Sequence, residues 1–191
     1  MRYLIFFSLI FASLSGDIDS VTVKWSAQLC QPSCIKQLNE RFSKMQGVQK
    51  VSIDGMNGVM EIKWKPKAPF SYQTLDWNMR WIGLYMTYVR VKTNGTVTAR
   101  NNTYTLKSKN DGTIFDLIGA ANASNPSLAV ATNSIYNRPL SQSAIDQLKD
   151  AQKKNLTVTV DGSLFEPWRG PPLRLVVDRI SVEQPKKNSP K

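Results

Sequence analysis

The stretch LCQPSCIKQLNERF, Leu29 to Phe42, holds the only two cysteines of the chain, Cys30 and Cys34. Two sulfurs four residues apart, just ahead of an amphipathic helix, support three chemistries. They close a disulfide where the compartment is oxidising. As thiolates they clasp a soft cation such as Cu(I). As a low-pKa pair at a helix N-terminus they exchange with other disulfides. Pro32 and Ser33 between them favour the turn that a bridge needs. Redox enzymes of the thioredoxin kind carry C-x-x-C on an order of elements that is absent here.

Other catalytic chemistry is thinly supplied. The chain has no histidine, which removes His-based triads and the commonest general base. Ser33 to Lys36 reads S-x-x-K, but the partner motifs of penicillin-binding enzymes are missing. Asp146 and Asp150 share one face of a helical segment, where a solvated face accounts for them. No enzymatic activity is expected.

The elements that position the cysteines follow from periodicity. SVTVKW, Ser20 to Trp25, alternates Val21, Val23 and Trp25 against Thr22 and Lys24, as a half-buried strand does. Ile35, Leu38, Phe42 and Met45 recur as a helical stripe that ends at Gly47. VQKVSIDGMNGVMEIKWK is two alternating runs around a DGMNG turn. Pro66 and Pro69 end the second run. Tyr72, Leu75, Met79 and Ile82 repeat the first helix's spacing, and YMTYVRV follows as a strand. The order strand, helix, strand, strand, helix, strand is the ferredoxin-like βαββαβ arrangement.

The same residues resemble the heavy-metal-associated domain over roughly residues 20–92. Cys34, the apolar residue after it, Gly47-Val48 before the second strand, and the segment Leu75 to Leu84 line up with that family's pattern. The resemblance implies a ferredoxin-like domain and, where the motif is G-M-x-C-x-x-C, a soft-metal site. Here Gln31 stands at the first cysteine position, Cys30 comes one residue early to give C-x-x-x-C, and Gln28 and Leu29 replace Gly-Met. The departure falls on the residues that hold the metal. A disulfide is therefore the leading expectation for Cys30 and Cys34, and soft-metal binding the alternative.

The second half reads differently. NGTVTARNNTYTLKSKNDGTIFDLIG is hairpin-like, and Ala120 to Ser134 is a Ser/Asn/Ala-rich loop. SQSAIDQLKDAQKKN is a helix, with Ser143 and Asp146 as its capping pair. LTVTVDGSLF and LRLVVDRISV are the last two strands. Three strands, a helix and two strands resemble the OB-fold, a small barrel. The expected fold is thus α+β: a ferredoxin-like domain at 17–92 followed by a small OB-like β-barrel with one helix at 93–183. Residues 1–16 read as a signal peptide, and residues 184–191 as a disordered tail.

Charge bounds the partners. The chain has 25 Lys and Arg against 14 Asp and Glu, a net charge of +11. The excess is spread along the chain without a concentrated stripe, so no nucleic-acid partner is expected. Sequons stand at Asn94, Asn101, Asn122 and Asn155 and matter only in a eukaryotic secretory pathway. On the first sheet, Lys24, Lys50, Ser52, Glu61, Lys63 and Lys65 fall opposite the core-facing residues. Lys24, Lys63 and Lys65 are therefore candidates for contact with an anionic membrane or glycan. Trp77 and Trp81 lie off the second helix's core stripe and form one ridge. That ridge should be covered, by the second half of the chain or by another protein.

The expected function is a non-enzymatic exported adaptor of the bacterial envelope, periplasmic or secreted, contacting a protein partner. One alternative is a copper-type carrier using Cys30 and Cys34. A further alternative is an OB-type binder of an anionic glycan or polymer, although Tyr104, Phe115, Tyr136 and Trp168 are too few and scattered to make a stacking track.

Overall fold

The structure is a computed structural model and describes residues 18–30, 32–100, 103–121 and 138–183. Its first four strands are β1 (Ile18–Trp25), β2 (Val48–Asp54), β3 (Val59–Trp64) and β4 (Met86–Arg100). Helix α1 (Pro32–Ser43) joins β1 to β2, and α2 (Tyr72–Trp81) joins β3 to β4. β5 (Thr103–Ser108) and β6 (Ile114–Ile118) follow, then α3 (Gln142–Lys153), β7 (Val158–Phe165) and β8 (Leu173–Val182).

All eight strands belong to one sheet, in the order β2-β3-β1-β4-β5-β6-β8-β7. A further pairing of β4 with β7 closes the last five strands into a barrel. β6 and β8 run parallel, and every other pair is antiparallel. The alternation read from the sequence is what builds the first layer. Val21, Val23, Trp25, Met60, Ile62 and Trp64 are buried beneath α1 and α2, while Val51 and Ile53 near the sheet edge are half-buried.

The expected α+β fold, a ferredoxin-like domain followed by an OB-like barrel, is matched only in part and needs correction. The chain is mostly β, with a closed five-stranded barrel and three α-helices among the described residues. The cause is β4. Its 15 residues run without a break from the first layer into the barrel. Residues 86–93 of β4 pair with β1, 90–95 with β7, and 95–100 with β5. Lys92, Thr93, Asn94 and Gly95 look like a connection in sequence, yet they are strand.

The core is continuous across this shared strand. The Trp64 ring meets Phe70 edge-on at 5.5 Å, and Phe70 lies 6.5 Å from Phe115 inside the barrel. Asp111 ties the same junction with polar bonds. It accepts from the Phe70 amide at 3.4 Å and from the Ser108 and Thr113 hydroxyls. Ser108 is fully buried, so its hydroxyl needs that partner. α3 seals one end of the barrel with Leu148 and Ala151, both buried. Its N-cap is Ser141, whose hydroxyl accepts from the Ala144 amide at 3.2 Å. The expected cap at Ser143 is thus two residues late; Asp146 is engaged instead by the Gln142 side chain at 2.8 Å.

Candidate functional site

α2 begins at Ser71, whose hydroxyl accepts from the Thr74 amide at 3.2 Å. Its core stripe, Tyr72, Leu75 and Met79, is buried, with Ile82 half-buried just beyond. At about 100° per residue Trp77 and Trp81 must point the other way, and they are 68% and 64% exposed. The chain then turns at Gly83, where φ is +80° and a side chain would be strained. That turn sends Leu84 into the core and Tyr85 outward, the latter 61% exposed. Three large aromatic rings therefore follow one another along one surface, and no described residue buries them.

Two arginines hold this ridge in place. The Arg41 guanidinium of α1 sits 4.9 Å from the Trp81 ring centroid, and its Nε donates to Asn78 Oδ1 at 2.7 Å. Asn78 in turn donates to the Thr74 carbonyl at 2.7 Å. Arg80 sits 5.2 Å from the Tyr85 ring and pairs with Asp76 at 2.7 Å. That bond pushes the Arg80 guanidinium further toward its charged form. A shallow groove of about 440 Å³ runs beside Trp81 between Gln37, Glu40, Arg41 and Lys44. Sequence reasoning found Trp77 and Trp81 but missed Tyr85 and the arginines. Tyr85 lies past the end of α2 and the Gly83 turn, where the helical period no longer applies, so the spacing could not place it. Arg41 reaches the ridge from another helix, and no local signal carries that contact.

Cys30 and Cys34 lie at disulfide distance, with sulfurs 2.03 Å apart and Cα atoms 5.4 Å apart. Cys34 stands in the first turn of α1 and Cys30 just before it. Paired sulfurs offer no thiolate to a soft cation, so the metal-carrier alternative requires the pair to be reduced. Among the described residues no three His, Cys, Asp or Glu side chains cluster suitably for a metal. Thiol labelling of the denatured, unreduced protein should find no free cysteine. Replacing both cysteines by serine should keep the fold and lower stability by about 2 kcal/mol, the loop-closure value for so short a ring. Two labelled thiols in the untreated protein would reject the pairing.

Lys24, Lys63 and Lys65 are exposed on the sheet face away from the helices, with Lys50, Ser52 and Glu61. The face is mixed in charge once β4 and β7 are added. Lys92 pairs with Asp19 at 2.8 Å, and Arg90 bridges Asp161 and Asp178, each at 2.7 Å. The Asp161 bond and the Tyr88 hydroxyl hold the Arg90 guanidinium firmly charged. Lys24 lies 5.7 Å from the Tyr88 ring.

The residues named for glycan stacking are not together. Tyr104 and Phe115 are buried in the barrel, and Trp168 is exposed in a short turn at Pro167–Arg169. Tyr136 lies outside the described residues, as do residues 1–16, the tail at 184–191, and the sequons at Asn101 and Asn122. Asn94 lies within β4, and Asn155 in the turn after α3. A cleft of about 740 Å³ opens between β6 and α3, lined by Asp116, Arg174, Gln142 and Lys149 among others. Burial pushes the Asp116 carboxyl up, against the pull of Arg174.

No helix among the described residues is long and apolar enough to cross a membrane. Compared with known protein families, with curated proteins and with solved structures, the chain matches none. The resemblance to the heavy-metal-associated domain therefore rests on the residues quoted for it.

Proposed function

We propose that this chain is a non-enzymatic binding protein that docks a protein partner on the ridge formed by Trp77, Trp81 and Tyr85. The carrying observation is the exposure of these three rings beside Arg41 and Arg80. Trp, Tyr and Arg are the residue types that dominate binding energy at protein interfaces. Trp81 and Tyr85 are held by cation–π contacts, and Arg41 is held by Asn78, so these two rings lose little side-chain freedom on docking. Arg41 and Lys44 outnumber Glu40 along the groove, while Asp76 pairs with Arg80, so the rim carries a slight basic excess that favours a partner face with carboxylates around an apolar pocket. The apolar run at Tyr3 to Ala12 and the paired cysteines support action outside the cytoplasm, in the periplasm or beyond it.

A photo-crosslinking residue placed at position 77 should give one dominant protein adduct in cells, and the same residue at position 63 should not. With that partner purified, Trp81→Ala should bind roughly 10- to 100-fold more weakly, the loss of one interface anchor, while circular dichroism stays unchanged. Equal crosslinking at both positions, or unchanged affinity in a folded variant, would sink the reading.

A further inference from the structure

We propose that two copies of this chain join edge to edge through β2, antiparallel, about a two-fold axis at Ser52. The inference is independent of the α2 ridge. β2 ends the sheet order and pairs only with β3 among the described residues. Its seven residues, VQKVSID, include no proline, and the one irregularity in its register falls at Gln49, so the outer edge from Lys50 to Asp54 is regular strand without a partner among the described residues.

The sequence of that edge is complementary to itself. Along β2, Lys50, Ser52 and Asp54 are exposed on the open face, and Val51 and Ile53 are half-buried on the helix face. An antiparallel pairing centred on Ser52 sets Lys50 opposite Asp54 of the second copy, and Asp54 opposite its Lys50. On the other face it sets Val51 opposite Ile53, twice. Around the central Ser52–Ser52 pair the flanking pairs are then favourable, opposite charges on one side and β-branched residues on the other. Moving the centre to Val51 sets Lys50 opposite Ser52, and moving it to Ile53 removes both charge pairs. A parallel arrangement in register puts lysine beside lysine. The isologous contact is thus specified by one short strand.

The neighbouring helix fits the same approach. α1 packs over β2, with Ile35 against Gly55 at the strand's end. Arg41 and Lys44 lie on its α2 side. The flank away from α2 carries Lys36, Asn39 and Ser43, all exposed, with Ser43 donating to Asn39 at 3.4 Å. Lys36, on the same flank, pairs with Glu40 at 4.0 Å, so in a chain of net charge +11 little unpaired charge there opposes the approach of a second copy. The contact is small beside a standard interface, so the association belongs to the weak, concentration-dependent class.

Sedimentation equilibrium of the full chain from about 5 to about 500 µM spans that class and should show a monomer–dimer equilibrium. Lys50→Asp places carboxylates opposite each other at both ends and should weaken it at least tenfold. Trp81→Ala should leave it unchanged. Asp54 also accepts from the Asn57 amide and side chain in the hairpin turn, so it is left intact. Ser52→Cys supplies a second measurement, because residues on the axis face each other. Mild oxidation should cross-link it in high yield, and Lys65→Cys should not. A monomer at every concentration, Lys50→Asp associating like the parent, or equal cross-linking at 52 and 65 would each overturn the proposal. So would loss of the dimer in Trp81→Ala alone, which would assign self-association to the ridge.

Discussion

Phe115→Ala will lose about 3–5 kcal/mol of stability, and the whole described fold will melt in one transition. Phe115 is fully buried and touches the first layer through Phe70, 6.5 Å away. Phe70 in turn meets Trp64, 5.5 Å away. The lost ring leaves a cavity that the barrel wall, pinned by β4–β7 pairing, cannot collapse to fill. Domains of this kind hold only about 5–15 kcal/mol in total, so the variant should sit near its unfolding threshold. Urea unfolding followed by tryptophan fluorescence, with the exposed Trp77, Trp81 and Trp168 replaced by Phe so that Trp25 and Trp64 carry the signal, reports on the first layer, and amide exchange in β5 and β6 reports on the barrel. The two midpoints should fall together. A variant whose barrel opens while the tryptophan midpoint stays at the parent value would refute a shared core.

The second large effect is at Gly95. A Cβ there would lie 2.1 Å from the Lys107 carbonyl oxygen and 2.7 Å from its carbon. Those atoms are backbone of β5 and cannot rotate aside. Gly95→Ala should therefore cost about 3 kcal/mol, the upper part of the usual overpacking range, and Gly95→Val more. The reason is positional. Gly95 pairs with Ser108 on one side and Val158 on the other, at the place where β4 passes from the first layer into the barrel. Thermal melting of the alanine variant within a degree of the parent would mean that the strands give way at little cost.

How much was legible in the sequence depends on the range of the contact. Strands β1, β2 and β3 and helices α1 and α2 were readable because each presents a buried face at its own period, as Val21 and Val23 or Leu75 and Met79 do. The outward direction of Trp77 and Trp81 came from the same arithmetic. What stayed hidden was pairing between distant residues. Asn94-Gly95 has the chemistry of a turn, and only the presence of β5 and β7 on either side makes it strand. Barrel closure joins Arg90 to Ser163, a contact for which neither segment carries a local sign. The Ser141 cap was missed by two residues because Asp146 offered Ser143 a plausible partner. The Arg90–Asp161–Asp178 bridge and the Arg41–Trp81 contact were invisible for the same reason: each is made between elements.

β4 also sets a schedule. A chain emerging from its N-terminus can complete β1, β2 and β3 and pair them with the start of β4 before the barrel exists. About 60 residues then separate Arg100 from Val158, and at roughly 5–20 residues per second their synthesis takes about 3–12 seconds. For that interval the β7-facing side of Arg90 to Gly95 waits unpaired, an edge that the finished fold closes. Its side chains include Arg90, Lys92 and Asn94, polar residues that keep a waiting edge hydrated until Asp161 arrives to neutralise Arg90 and β7 closes the barrel.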